Sequence, residues 1–132
     1  MIYDTNFVIN YIRRDLPLDS RLVIPIVIVG ELEAFALKAD WGYQKLTRLQ
    51  QILNSYPIVD IDRELTRVYA QVDAYSQNKL KSFLLPKGLT ARNMGKNDIW
   101  IAATALYLDM KLYTSDGDFD HLVDFGLQLI KG

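Results

Sequence analysis

Four carboxylates in this sequence stand where chemistry is expected. Asp4 follows the apolar start Met1-Ile2-Tyr3, and Glu31 interrupts Val29-Gly30-Glu31-Leu32. Asp98 opens Asn97-Asp98-Ile99-Trp100-Ile101-Ala102-Ala103, and Asp116 closes Tyr113-Thr114-Ser115-Asp116. Acids that directly abut apolar cores are unusual, and parallel neighbouring strands would bring them to one sheet edge. Unpaired carboxylates crowded together are sustained mainly by a hard cation. Magnesium and manganese prefer such oxygens, keep several waters, and bind through a few protein ligands plus substrate phosphate. The chemistry this predicts is phosphodiester hydrolysis, with the cation activating water and stabilising the leaving oxygen.

Each acid also has an ordinary role available. Asp4 can cap a following helix together with Thr5, and Asp98 in a first helical turn complements the helix dipole. Asp116 shares a turn with Asp118 and Asp120, where acids are common. Glu31 is harder to explain away, because an unpaired carboxylate among apolar helix neighbours is costly to bury. Thr5, Asn6, Thr114 and Ser115 supply short polar groups for orienting carboxylates or water around the site. His121, the only histidine, reads as structural rather than as a general base. The aromatic residues fall mostly at core spacings and do not suggest a base-stacking platform.

The elements that would position these acids form an alternating pattern. Continuous apolar runs at Met1 to Tyr3, Leu22 to Ile24, Ile58 to Ile61, Leu112 to Thr114 and Leu127 to Ile130 predict strands covered on both faces. Helices are expected after Asp4 and from Pro25, which suits a first helical turn. Further helices should carry the Leu46, Leu49, Ile52, Leu53 stripe, follow an N-cap at Asp62, and start at Asn97 or Asp98. Phe83 to Gly95, with Pro86 and Gly88, predicts a loop. Strands separated by helices imply right-handed crossovers and a three-layer α/β sandwich around a mostly parallel five-stranded sheet. Ligands in such sheets bind beyond the strands' carboxyl ends, where strand order reverses. Asp4 and Asp116 belong at that edge.

Composition narrows the partners. The chain has 132 residues, half of them hydrophobic, and is sized for a single domain spanning 1–132. Cysteine is absent, which excludes disulfides, thiolate catalysis and Cys-bound zinc. Neither a membrane-length apolar run nor a signal-like start is present, so a cytoplasmic protein without membrane contact is expected. The net charge of -1 excludes a globally basic nucleic-acid binder but leaves room for a local patch. Lys79, Lys81, Lys87, Arg92 and Lys96 lie between Asp73 and Asp98 with no acid among them. They are either a solvated loop or a phosphate-contacting lip leading into Asp98, with Arg92 and Lys96 the nearest phosphate contacts.

Asp-Thr-Asn after the first strand, the mid-helix Glu31, Asn-Asp-x-x-Ile-Ala-Ala at 97–103 and Thr-Ser-Asp-Gly-Asp-Phe at 114–119 together resemble the signature blocks of PIN domains. The order and spacing match over nearly the whole chain, and the block at 97–103 is the most specific. The small size is similar to VapC-type toxins of toxin–antitoxin pairs. That resemblance implies a magnesium- or manganese-dependent endoribonuclease, a homodimer, and a cognate antitoxin protein. It also implies that Asp4, Glu31, Asp98 and Asp116 form the metal-binding acidic quartet, with Asp118 replacing or assisting Asp116. A haloacid dehalogenase phosphatase would need an acid at position 6, which is Asn6. A receiver domain would need an acid pair after the first strand. The remaining alternative is a catalytically silent PIN-like module that binds RNA or protein, and the presence of all four acids argues against it.

Overall fold

The structure is a computed structural model describing residues 1–132. Its elements alternate as expected. In chain order they are β1 (Ile2–Tyr3), α1 (Thr5–Arg13), β2 (Ile24–Pro25), α2 (Ile26–Lys38), α3 (Tyr43–Ser55) and β3 (Ile58–Val59). Next come α4 (Arg63–Ser76), α5 (Lys96–Tyr107), β4 (Lys111–Thr114), a 3-10 turn (Gly117–Leu122) and β5 (Gln128–Lys131). All strand pairs are parallel. Both residues of β1 are buried although neighbouring strand residues point to opposite faces, so helices cover the sheet on both sides.

The five strands do not form one continuous ladder. Order β1-β4-β5 makes a three-stranded sheet and β2-β3 a two-stranded one. A single hydrogen bond, from Val23 N–H to the Met1 carbonyl at 2.9 Å, bridges the two. Strands of two residues offer too few backbone groups to extend that bridge into a ladder. The resulting spatial order is 3-2-1-4-5, with its reversal between β1 and β4. The second strand also lies later than expected, because Val23 is engaged with Met1 and Pro25 closes β2 while standing before α2. The third is shorter than expected, ending at Val59, because Asp62 turns outward to cap α4 and accepts from Leu65 N–H at 2.8 Å.

The core is one cluster of 28 buried hydrophobic residues. Helix α2 contributes Ile28, Leu32 and Ala36, one turn apart on a single stripe. Helix α5 buries Ile99, Ile101, Ala102, Ala103 and Ala105. Its small side chains let α4 approach closely, and Tyr69 of α4 meets Trp100 with ring centroids 4.1 Å apart. Leu112, fully buried on the middle strand β4, sits between β1 and β5. Leu112→Ala should therefore cost about 2–5 kcal/mol by loss of transfer energy and creation of a cavity. Urea titration checks this: the midpoint should fall with the slope unchanged.

Candidate active site

The reversal between β1 and β4 sets out the site. Asp4 directly follows β1 and is nearly fully buried, and its N–H donates to the Tyr113 carbonyl at 2.9 Å. It caps α1, accepting from Thr5 N–H at 2.8 Å, and it accepts from the Thr114 hydroxyl at 2.8 Å. Cap and cluster member are thus the same side chain. The Thr114 hydroxyl, at the end of β4, also accepts from Asp116 N–H at 3.0 Å. The Thr5 hydroxyl donates to Glu31 at 2.6 Å, linking α1 to α2. Two threonines therefore tie three of the acids into one network. Asp98 enters from the first turn of α5, where the helix N-terminus favours negative charge.

These acids surround a cavity of about 590 Å³. Asp4, Glu31, Asp98 and Asp116 all line it, as do Thr5 and Asn6. Carboxylate oxygens of Asp98, Asp116 and Asp118 lie within 4.8 Å of one another. Asp118 therefore stands beside Asp116, held by its own N–H donating to Asp116 at 2.9 Å. Ser115 is exposed and makes no hydrogen bond to the cluster. Arg92 lies beside Asp118 in a small adjoining depression of about 220 Å³, and Lys96 is exposed on the first turn of α5. Neither lines the main cavity.

Burial raises the Asp4 pKa despite the bonds from Thr114 and Thr5, and Glu31 and Asp116 add repulsion. Burial pushes Asp98 from the ordinary 3.8 up to about 6, with further repulsion from Asp4, Asp116, Glu31 and Asp118. No salt bridge relieves the cluster; the three present join Asp19 to Arg21, Glu64 to Arg67 and Asp120 to Lys131. The donor set is all hard oxygen, unneutralised and partly buried, which fits magnesium or manganese. Asp98, Asp116 and Asp118 would hold the ion most directly, with Asp4 and Glu31 lining the same cavity.

His121 is buried and its pKa is lowered, first by burial and then by Arg92. Its Nε2 meets the Ser76 hydroxyl at 2.8 Å, and Tyr75 donates to its carbonyl at 3.1 Å. Arg92 N–H donates to the Ser76 carbonyl at 2.7 Å. The histidine thus knots the end of α4 to the basic loop and to the turn carrying Asp118, a structural role.

Some cavity residues escaped the sequence reading. Val27, Gly30, Ala34, Phe35 and Lys38 line the wall with Glu31. Their spacing of three and four marks one helical face, so Glu31 and that periodicity together could have found them. Asn97 also lines the cavity beside Asp98. Aromatic residues are not confined to the core: Phe35 faces the cavity and Tyr43 is 83% exposed.

The fold is thus a parallel α/β architecture with carboxylates gathered at its switch point. The PIN domain family matches residues 1–124, and the chain belongs to that family. Among solved structures it is similar to FitAcB from Neisseria gonorrhoeae, with TM-score 0.73 and 22% identity over 98% of this chain and 95% of that one. VapBC2 from Rickettsia felis bound to a promoter DNA fragment gives TM-score 0.71 and 23% identity over 99% and 98%. VapBC-1 from nontypeable Haemophilus influenzae gives 0.67 and 26% over 99% and 98%. No curated protein sequence matches the chain.

The raised Asp98 pKa makes a signed prediction. Between its ordinary 3.8 and about 6, the native state binds this proton more tightly than the unfolded chain. The stability it contributes is therefore present at pH 4 and lost as pH rises through about 6. In chelator, the wild-type melting temperature should fall relative to Asp98→Asn as pH goes from about 4 to about 7. A constant difference across that range would refute the raised value.

Proposed function

We propose that this PIN domain is a magnesium- or manganese-dependent endoribonuclease and the toxin of a toxin–antitoxin pair. The observation that carries this reading is the cavity whose wall holds Asp4, Glu31, Asp98 and Asp116 without a single cationic partner among them. A bound divalent ion there supplies water activation and neutralises charge developing on the scissile phosphate. The protein's part is to hold the carboxylates in place: Thr114 fixes Asp4 and the Asp116 backbone, and Thr5 fixes Glu31. Asn97 and Lys38, on the cavity wall, are placed to orient substrate. Arg92, beside Asp118, and Lys96, on the first turn of α5 with Asp98, take phosphates.

The toxin role is supported by structural likeness to VapBC and FitAB assemblies. On this reading a cognate antitoxin protein masks the site, the toxin works as a homodimer, and the protein is cytoplasmic. No helix is long and apolar enough to cross a membrane.

Asp98→Asn should abolish metal-dependent RNA cleavage while the fold remains, because the swap is nearly isosteric but removes a charge the cation needs. Incubating labelled RNA with each protein, with manganese or with EDTA, checks this. RNA binding by the wild type without cleavage under any divalent metal would instead identify a silent binding module. The metal should also stabilise the wild type, by about 2.7 kcal/mol at a hundredfold excess over its dissociation constant. Equal wild-type melting temperatures in the two buffers would remove the metal site from the account.

A further inference from the structure

A second depression, of about 410 Å³, opens between the end of α1 and the first half of α3. Arg13, Lys45 and Arg48 line it, against one acid, Asp15. None of the four takes part in a salt bridge. In a chain of net charge -1, three unneutralised cations facing one hollow form a local positive field.

Arg48 carries a second, independent sign of a missing ligand. Its Nη2 donates to the Leu16 carbonyl at 3.3 Å, which fixes the guanidinium in place. Its Nε is buried and has no hydrogen-bond partner in the protein. An orphaned buried donor is expensive, and in a charged group more so. An anion bound beside the same guanidinium would offset part of that cost.

The depression also neighbours the catalytic cavity, with Arg13 and Phe35 packed between them. The Arg13 guanidinium lies over the Phe35 ring at 5.0 Å from its centroid, and Phe35 lines the cavity wall. Arg13 ends the helix that Thr5 begins, so the two lie roughly 12 Å apart along its axis. At the other rim Tyr43 stands 83% exposed. The lining is otherwise polar, with Ile12 and Tyr43 its only hydrophobic members, which suits a polyanion better than an apolar helix.

We propose that this depression is a phosphate-binding subsite for the RNA strand leaving the catalytic cavity. Arg13, Lys45 and Arg48 contact the backbone and Tyr43 stacks on a base. The inference rests on the nuclease reading and extends it by giving the substrate a defined exit path across Phe35. Substrate is then gripped on both sides of the acids, by Arg92 and Lys96 on one and by Arg13, Lys45 and Arg48 on the other.

The test uses the full chain carrying Asp98→Asn, with magnesium and a labelled single-stranded RNA, read by fluorescence anisotropy over a salt series. Lys45→Ala and Arg13→Ala should each lower the steepness of the salt dependence by about 1, as expected for one lost phosphate contact. Tyr43→Ala should weaken binding about fivefold or more with the slope unchanged. Lys111→Ala, an exposed cation on another face, removes the same charge and should leave the slope where it was. Arg13 packs on Phe35, so Lys45, which is exposed, is the cleaner variant. If the parent binds RNA and the Lys45 and Arg13 slopes match it, the subsite is wrong and the nuclease reading stands. If the parent binds no RNA, both fall. If polyglutamate binding is lost in the same variants while RNA binding is untouched, the hollow docks an acidic protein segment and the proposal is overturned.

Discussion

Mutual repulsion among partly buried carboxylates is the constraint around which this protein is arranged. Burial alone would drive such groups toward their protonated forms, and it does raise both Asp4 and Asp98. What keeps the cluster available for a cation is hydrogen bonding to the charged state. Asp4 accepts from Thr5 N–H and the Thr114 hydroxyl, and those bonds oppose the effect of burial without cancelling it. A threonine hydroxyl is well suited to this. It donates once and still accepts, so Thr114 can serve Asp4 and the Asp116 backbone together.

The fold meets that requirement through strand order rather than strand length. Ile2 pairs with Leu112 and Tyr3 with Tyr113, a register that sets Asp4 beside Thr114 from opposite ends of the sequence. Two-residue strands suffice because the helices carry the core: α4 and α5 pack closely on each other and α2 is almost wholly apolar. The reversal of order between β1 and β4 opens the crevice, and α2 and α5 supply Glu31 and Asp98 to it. His121 extends the same logic outward, binding the turn of Asp118 to α4 and to the basic loop through Ser76.

Local signals made much of this legible in the sequence. Apolar runs gave the strand positions, the Asp62 cap marked α4, and Asp4 and Asp116 adjoin their strands directly. What escaped was non-local or depended on short-range competition. The break between β1 and β2 follows from one backbone bond, Val23 to Met1, which no periodicity encodes. Whether Asp118 replaces or assists Asp116 was open in the sequence, because their joint approach to Asp98 depends on how the turn folds. The cavity face of α2, with Phe35 and Lys38, is masked in the sequence by the helix's nearly uniform hydrophobicity. The burial of the Arg48 Nε depends on the packing of α3 and has no local sequence signal.

On the proposed nuclease reading, the separation of charge would let a chain of net charge -1 handle a polyanion. A lysine within ion-pairing distance of Asp98 or Asp116 would relieve their repulsion, but it would also fill the place of the cation. None does so; Lys38 lines the cavity without pairing to an acid, and Lys131 is engaged by Asp120 and the Asp116 carbonyl. Cations instead stand beside the cluster, at Arg92 and at Arg13, without an ion pair to any of its acids. Acid cluster and basic flanks are therefore one device. On the proposed reading, the carboxylates would reserve a site for a divalent ion, and the flanking cations would offset the repulsion that a polyanion meets on approaching it.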